Sequence, residues 1–286
     1  MNMEKIRAII DKDRDSLIDT IRELVAVPSV GGEAPRPDAP FGPGPKAALD
    51  KFVEIGARHG FRTWAFENQV GVAELGDESL PEMIAVLAHV DVVPAGEGWS
   101  CDPWRGMIKD GLLYGRGVAD DKGPAISAMF AMKALREAGV RLKRRVRLIV
   151  GTNEELGSRA IDRYVTSGQE LPVAGFTPDA EYPLINGEKG ILNGTYSRKL
   201  HQTGEYRLTK FEGGAASNIS PAYAAAELKC PADAAAKISA DKVTATPIEG
   251  GIRVEAEGIA VHGSTPEQGE NAIGRLAQAL NQLPLT

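Results

Sequence analysis

Acidic residues and one histidine recur at four places in this chain, each beside an apolar or helical run. His89 and Asp91 follow Met-Ile-Ala-Val-Leu-Ala (83–88) as His-Val-Asp-Val-Val-Pro. Asp120 and Asp121 lie in Gly-Arg-Gly-Val-Ala-Asp-Asp-Lys-Gly-Pro, just ahead of a helical stretch. Glu154 and Glu155 follow the apolar run 146–150 in Thr-Asn-Glu-Glu-Leu-Gly-Ser, and Asp179 follows 173–176 in Thr-Pro-Asp-Ala-Glu. Imidazole and carboxylate groups chelate divalent cations. In open α/β sheets, ligands bind in the crevice outside the carboxyl ends of the strands. Chelating side chains delivered there by separate strands would build a metal site.

Taken singly, each feature has a plainer reading. His-x-Asp can be a hydrogen-bonded turn, and Glu-Glu ahead of a helix can compensate its dipole. Asp-Asp-Lys-Gly can be a capped helix start. Gly-Arg-Gly lacks the third glycine of a dinucleotide fingerprint and the Gly-Lys-Ser/Thr of a P-loop. Their joint occurrence favours the metal site.

The elements that must position these residues follow from periodicity. Ile6, Ile9, Ile10, Leu17, Ile18, Ile21, Leu24 and Val25 fall at helical spacing, closed by Pro28. Residues 30–44, rich in Pro and Gly, read as a surface loop, and a helix is expected over 46–59 with Gly60 as its stop. Strands are expected over 62–67, 71–75, 83–88, 146–150 and 173–176, and helices over 122–138 and 158–166. Continuous apolar strands alternating with helices indicate a three-layer α/β domain with a largely parallel mixed sheet. After Gly190 the texture changes to half-exposed strands at 196–200, 206–211, 224–230, 243–246 and 252–257. Helices are expected over 231–240 and from Asn271. This second part reads as a smaller α+β domain with an antiparallel sheet. The expected division is a first domain over 1–188 and a second over 189–286.

A formal charge of −6 argues against nucleic acid as a partner. Arg141, Lys143, Arg144, Arg145 and Arg147 cluster, but they lead into an apolar run and read as a solvated strand entrance. No apolar stretch approaches the roughly 18 residues of a membrane span, and the N-terminus carries no secretory pattern. Cys101 and Cys230 are too few for a disulfide framework, so a cytoplasmic location is expected.

The ordered set His-x-Asp, Gly-x-Gly-x-x-Asp-Asp-Lys-Gly, Glu-Glu-x-Gly-Ser and Asp resembles the co-catalytic metallopeptidases. These include carboxypeptidase G, aminoacylase and carnosinase-type dipeptidases. The bacterial PepV-type dipeptidases are a closer likeness, through His-Val-Asp-Val-Val-Pro with Trp99 and Trp104 downstream. Phe-Thr-Pro-Asp-Ala-Glu-Tyr-Pro and Asn-Gly-Glu-Lys-Gly point the same way. The resemblance implies two divalent metal ions, zinc first, with manganese or cobalt as alternatives. It makes His89 and Asp179 ligands of one ion, Glu155 a ligand of the other, and Asp120 the bridge, followed by a cis peptide. Asp91 would orient His89, and Glu154 would be the general base. Val-His-Gly-Ser-Thr-Pro-Glu-Gln-Gly-Glu-Asn-Ala resembles the lid motif whose histidine, here His262, stabilises the oxyanion. Gly-Gly-Ala-Ala-Ser-Asn-Ile-Ser-Pro resembles the lid segment whose asparagine, here Asn218, contacts substrate.

The same resemblance implies a further histidine ligand and a carboxylate-binding arginine, from segments that have no counterpart here. A truncated form is therefore expected: the longer enzyme a monomeric dipeptidase acting on small peptides, this chain prone to self-association. Two alternatives stay open. One is a sibling amide hydrolase, such as a desuccinylase or carboxypeptidase; the other is a non-catalytic metal-binding fragment.

Overall fold

The computed structural model describes residues 2–32, 35–96, 99–180, 182–187, 189–214 and 216–285. It divides into two compact units, Met1–Ile185 and Asn186–Thr286.

The first unit opens with α1 (Met3–Lys12), α2 (Arg14–Val25) and α3 (Pro43–Arg58). The single helical pattern expected through Val25 is two helices, broken at Asp13, whose carboxylate is held by Lys133. Next come β1 (Arg62–Phe66), β2 (Val70–Leu75) and β3 (Met83–His89), then a hairpin of β4 (Met107–Lys109) and β5 (Leu112–Tyr114). The unit continues through α4 (Lys122–Glu137), β6 (Arg145–Gly151), α5 (Arg159–Thr166) and β7 (Ala174–Phe176). The β4–β5 hairpin had no counterpart in the expected elements, although Asp110-Gly111 between apolar residues is a hairpin signal. Both turn residues adopt positive φ, 53° and 78°.

The five-stranded sheet runs β1-β2-β6-β3-β7. It is mixed: β3 runs parallel to both β6 and β7, while β1–β2 and β2–β6 are antiparallel. The parallel half thus brings the carboxyl ends of β6, β3 and β7 side by side. One face carries the main core, where Leu24, Leu49, Phe52, Ile55, Ile126 and Met129 pack against Leu148 and Val150. Gly71 in β2 lets α3 approach, since a Cβ there would stand 2.7 Å from Leu49 Cδ1 and 3.0 Å from Phe52 Cδ1. On the other face α5 places Ala160 and Tyr164 against Val70, Val72 and Ile149.

Arg145 and Arg147 correct the reading of the basic run as solvated. Both are buried. Arg147 Nε donates to Glu74 Oε2 at 2.6 Å, and its Nη2 donates to Glu170 Oε2 at 2.9 Å. Arg145 pairs with Glu170, and the Arg147 guanidinium lies 5.2 Å from the Trp64 ring centre.

The second unit is a four-stranded antiparallel sheet, β10-β11-β9-β8. Its strands are β8 (Arg207–Gly213), β9 (Tyr223–Lys229), β10 (Val243–Ile248) and β11 (Gly251–Glu257). Helix α6 (Ala272–Leu280) covers one face, with Leu276 and Leu280 packed on Ala226, Leu228, Ile252 and Val254. The strand expected at 196–200 is absent, and Tyr196 is 97% exposed. The helix expected over 231–240 is a 3-10 turn, Ala232–Lys237.

Candidate metal centre

The three parallel strands deliver the cluster as their order requires. His89 is the last residue of β3, the central strand of the three, and Asp91 lies two residues beyond it. Glu154 and Glu155 follow β6 on one side, and Asp179 follows β7 on the other. Asp120 and Asp121 come from the turn ahead of α4 and are joined by a cis peptide. Asp121 occupies the helix N-cap yet makes no capping bond. Its Oδ2 instead accepts the His89 backbone N–H at 3.1 Å, tying that turn to the end of β3. Glu154 and Glu155 likewise cap nothing: they sit in a turn, and α5 starts at Arg159 after Ser158.

His89 is buried, and its tautomer follows from its partners. Nδ1 lies 2.9 Å from the Asp91 backbone carbonyl oxygen, which can only accept, so Nδ1 carries the proton. Nε2 is left facing Asp120 Oδ1 at 2.9 Å, Asp179 Oδ2 at 3.5 Å and Glu154 Oε2 at 3.9 Å. The Asp91 carboxylate is farther from Nδ1, at 3.5 Å. It accepts the backbone N–H groups of Glu154 at 3.0 Å and Glu155 at 3.1 Å. Asp91 thus orients His89 chiefly through its carbonyl, and the Glu-Glu turn through its carboxylate.

The electrostatics are those of carboxylates crowded without enough positive charge. Burial, reinforced by Asp120, pushes Glu155 up to about 7. Glu154 is raised by burial, and Asp121 by burial and then by Asp179 to about 8. Burial lowers the His89 imidazole, but Asp120, Asp179 and Asp91 outweigh it and hold it protonated. Asp120 is lowered, first by its bond to His89. Asp121 Oδ1 is buried with no hydrogen-bond partner. Ligand atoms of His89, Asp120 and Glu155, and of His89, Asp121 and Asp179, lie within 4.8 Å of one another. An orphaned carboxylate oxygen, and an imidazole nitrogen that faces acidic oxygens and carries a proton a metal ion would displace, fit a divalent cation.

Lys122 was not among the residues singled out from sequence. It is fully buried, and burial pushes its ammonium down to about 7. Its position was a signal: a cation in the first turn of a helix opposes the helix dipole and needs a reason to be there.

In the second unit, Asn218 and His262 are neighbours. Ile219 and His262 form an antiparallel bridge, and Gly263 N–H donates to Asn218 O at 2.6 Å. The Ser264 N–H lies 3.2 Å from His262 Nδ1, which therefore accepts and leaves Nε2–H as the free donor of the neutral ring. A cleft of about 650 Å³ adjoins the pair, lined by Ser217, Ser220, Gly263 and Asn271.

The chain is 36% identical over 287 residues to the Beta-Ala-Xaa dipeptidase of Lactobacillus delbrueckii subsp. lactis, covering 96% of this chain and 60% of that protein. A Staphylococcus epidermidis protein, also named a dipeptidase, is 37% identical over 274 residues, covering 90% of this chain and 57% of its own. The chain thus spans 57–60% of the length of these relatives. The crystal structure of human carnosine dipeptidase 1 superposes with a TM-score of 0.52 at 27% identity, covering 64% of this chain and 42% of that one. Residues 250–286 match the peptidase dimerisation domain. Residues 85–258 match Peptidase family M20/M25/M40, a span that is more than half of the chain and holds every member of the metal cluster. On that match, the protein belongs to the peptidase family M20/M25/M40.

Proposed function

We propose that this chain carries the metal centre of a dipeptidase that cleaves the peptide bond next to a free N-terminus. The observation that carries this reading is the convergence of His89, Asp120, Glu154, Glu155 and Asp179 at the ends of three adjacent strands. His89, Asp120 and Asp179 would hold one divalent ion, and Asp120 with Glu155 a second, with zinc the first candidate. When bound, such a pair polarises the scissile carbonyl and acidifies water. Glu154, raised by burial, takes the proton from the attacking water and returns it to the leaving amine. Asp91 holds Glu154 and Glu155 in register through their backbone N–H groups. His262 donates Nε2–H to the carbonyl oxygen as it gains charge, and Asn218 contacts the substrate.

The dipeptide preference rests on the names of the relatives, one of which is a Beta-Ala-Xaa dipeptidase. The match to the dimerisation domain supports self-association through the second unit. A cytoplasmic location is supported by two free cysteines and, among the described residues, by the lack of a helix long and apolar enough to cross a membrane. The test is elemental analysis with a hydrolysis screen, on this chain and on the open reading frame that encodes it. Metal-dependent release of two amino acids from dipeptides is expected. Cleavage of succinylated or acylated amino acids with dipeptides left intact would overturn it in favour of a sibling activity.

A further inference from the structure

We propose that Lys122 is a positioning residue of the metal centre, its buried ammonium fastening the Asp120–Asp121 turn to the backbone of Val27. The inference rests on the metal-centre reading above.

Lys122 is 0% exposed. A buried ammonium must recover its lost hydration from fixed partners. Its place in the first turn of α4 adds an unfavourable dipole. Methionine would fill a similar volume with neither cost, so packing alone does not account for lysine. The structure shows what the charge does. Lys122 Nζ donates to Val27 O at 2.7 Å. The segment after Val27 is itself tied to the His89–Asp91 strand exit, because Ser29 Oγ donates to Val90 O at 2.6 Å and Val92 N–H donates to Ser29 O at 3.1 Å. Residues 27–29 are therefore a shared anchor. One tie holds the piece of chain bearing His89 and Asp91; the other, Lys122, holds the piece bearing Asp120 and Asp121.

The turn is shaped around the lysine stem. Gly117 sits at φ +88°, and a Cβ there would stand 3.0 Å from Lys122 Cδ. Gly123 N–H closes the turn onto Gly117 O at 3.1 Å. The Asp91 carboxylate also acts on the same ammonium, so the lysine that holds the Asp120–Asp121 turn feels the other half of the acidic cluster as well. Without it, Asp120 and Asp121 lose their fixed distance to His89, and the ligand atoms are no longer gathered before an ion arrives.

The experiment titrates zinc alone into the wild-type chain, Lys122→Met and Lys122→Arg, by calorimetry against a competing chelator. Near-ultraviolet circular dichroism of the tryptophans reports folding. The expected result is a folded Lys122→Met that binds zinc about 10–100-fold more weakly, as when a ligand's supporting partner is lost. Lys122→Arg, which keeps charge and donors, should lie closer to wild type than to Lys122→Met. Equal zinc affinity in wild type and Lys122→Met, or an arginine variant as weak as the methionine one, overturns the role. Should Lys122→Met fail to fold, Lys122→Gln takes its place under the same criterion. A wild-type chain that binds no zinc defeats the metal-centre reading, and the Lys122 role with it.

Discussion

The Asp91 carboxylate grips the backbone N–H of Glu154 at 3.0 Å while its second oxygen takes that of Glu155 at 3.1 Å. One buried side chain thus sets the start of the turn that presents both glutamates. Asp91→Ala leaves both part-buried N–H groups without that acceptor, a loss toward the low end of the range for an unpaired donor, about 1 kcal/mol for each. Urea unfolding should show this loss, and a zinc titration should show weaker binding, because Glu155 is no longer held. Unchanged zinc affinity in a folded Asp91→Ala would remove Asp91 from the site's support.

Glu154 and Glu155 are adjacent but should separate cleanly by phenotype. On the proposed roles, Glu154→Gln removes the proton acceptor, and turnover should fall by about a hundred- to ten-thousand-fold with metal content unchanged. On the same reading Glu155→Gln removes a ligand, so metal content should fall first. Elemental analysis beside a dipeptide assay distinguishes them, and reversed phenotypes would exchange the two roles.

Much of this was legible in the sequence because it is local. The apolar runs at 83–88 and 146–150 are β3 and β6 to within a residue at either end, since strands buried on both faces show no alternation to misread. What stayed hidden depended on distant partners. Arg147 looks solvated until Glu74, 73 residues away, is brought beside it by the β2–β6 pairing. The helix break at Asp13 goes with its pairing to Lys133 on α4. Residues 196–200 alternate as a strand would, but a strand needs a neighbour, and no described strand pairs with them. Within the site, the residue types pointed to the side chains that the fold brings together. Lys122 passed as part of a helix start, because nothing local reveals that its ammonium reaches Val27.

Glu74 is the acceptor at the centre of the ion network on β2 and β6, with Arg62, Arg145 and Arg147 around it. Glu74→Ala would leave the Arg147 guanidinium buried without its closest partner. Removing one side of a buried pair costs about 3–5 kcal/mol. Denaturant unfolding of the first unit should report a loss of that size. A change within experimental error would mean that Glu170 alone suffices for Arg147.

Glu170 carries a pH signature. Its hydrogen bond to Arg145, more than any other cause, holds its carboxyl below the ordinary value of 4.5. The unfolded chain therefore binds a proton here at higher pH than the folded chain does. The stabilisation from this group is fully present above 4.5 and is lost as pH falls through the lower folded value. Glu170→Gln should flatten the acid limb of a stability-versus-pH curve while leaving its neutral part parallel to wild type. Identical acid limbs would exclude Glu170 as a contributor.

The arrangement of donors also sets how many ions the described residues can hold tightly. Among the described residues, His89 Nε2 is the imidazole nitrogen that faces Asp120 and Asp179, and once its proton is displaced it can serve a single ion. On the proposed assignment it would make, with Asp120 and Asp179, three protein ligands, enough for an open site of catalytic type. A second ion would then share Asp120 and take Glu155, two carboxylates and no imidazole. The burial that, with Asp120, pushes Glu155 up to about 7 adds a proton to be displaced at neutral pH, so the second affinity should rise as pH increases through that value. Zinc titration of this chain should accordingly show one tight site and a second, weaker site that strengthens between pH 6 and pH 8. Glu155→Gln should abolish the second and spare the first, whereas Asp179→Asn should weaken the first. Two sites of equal affinity, independent of pH and both insensitive to Glu155, would show that the ligands are distributed differently.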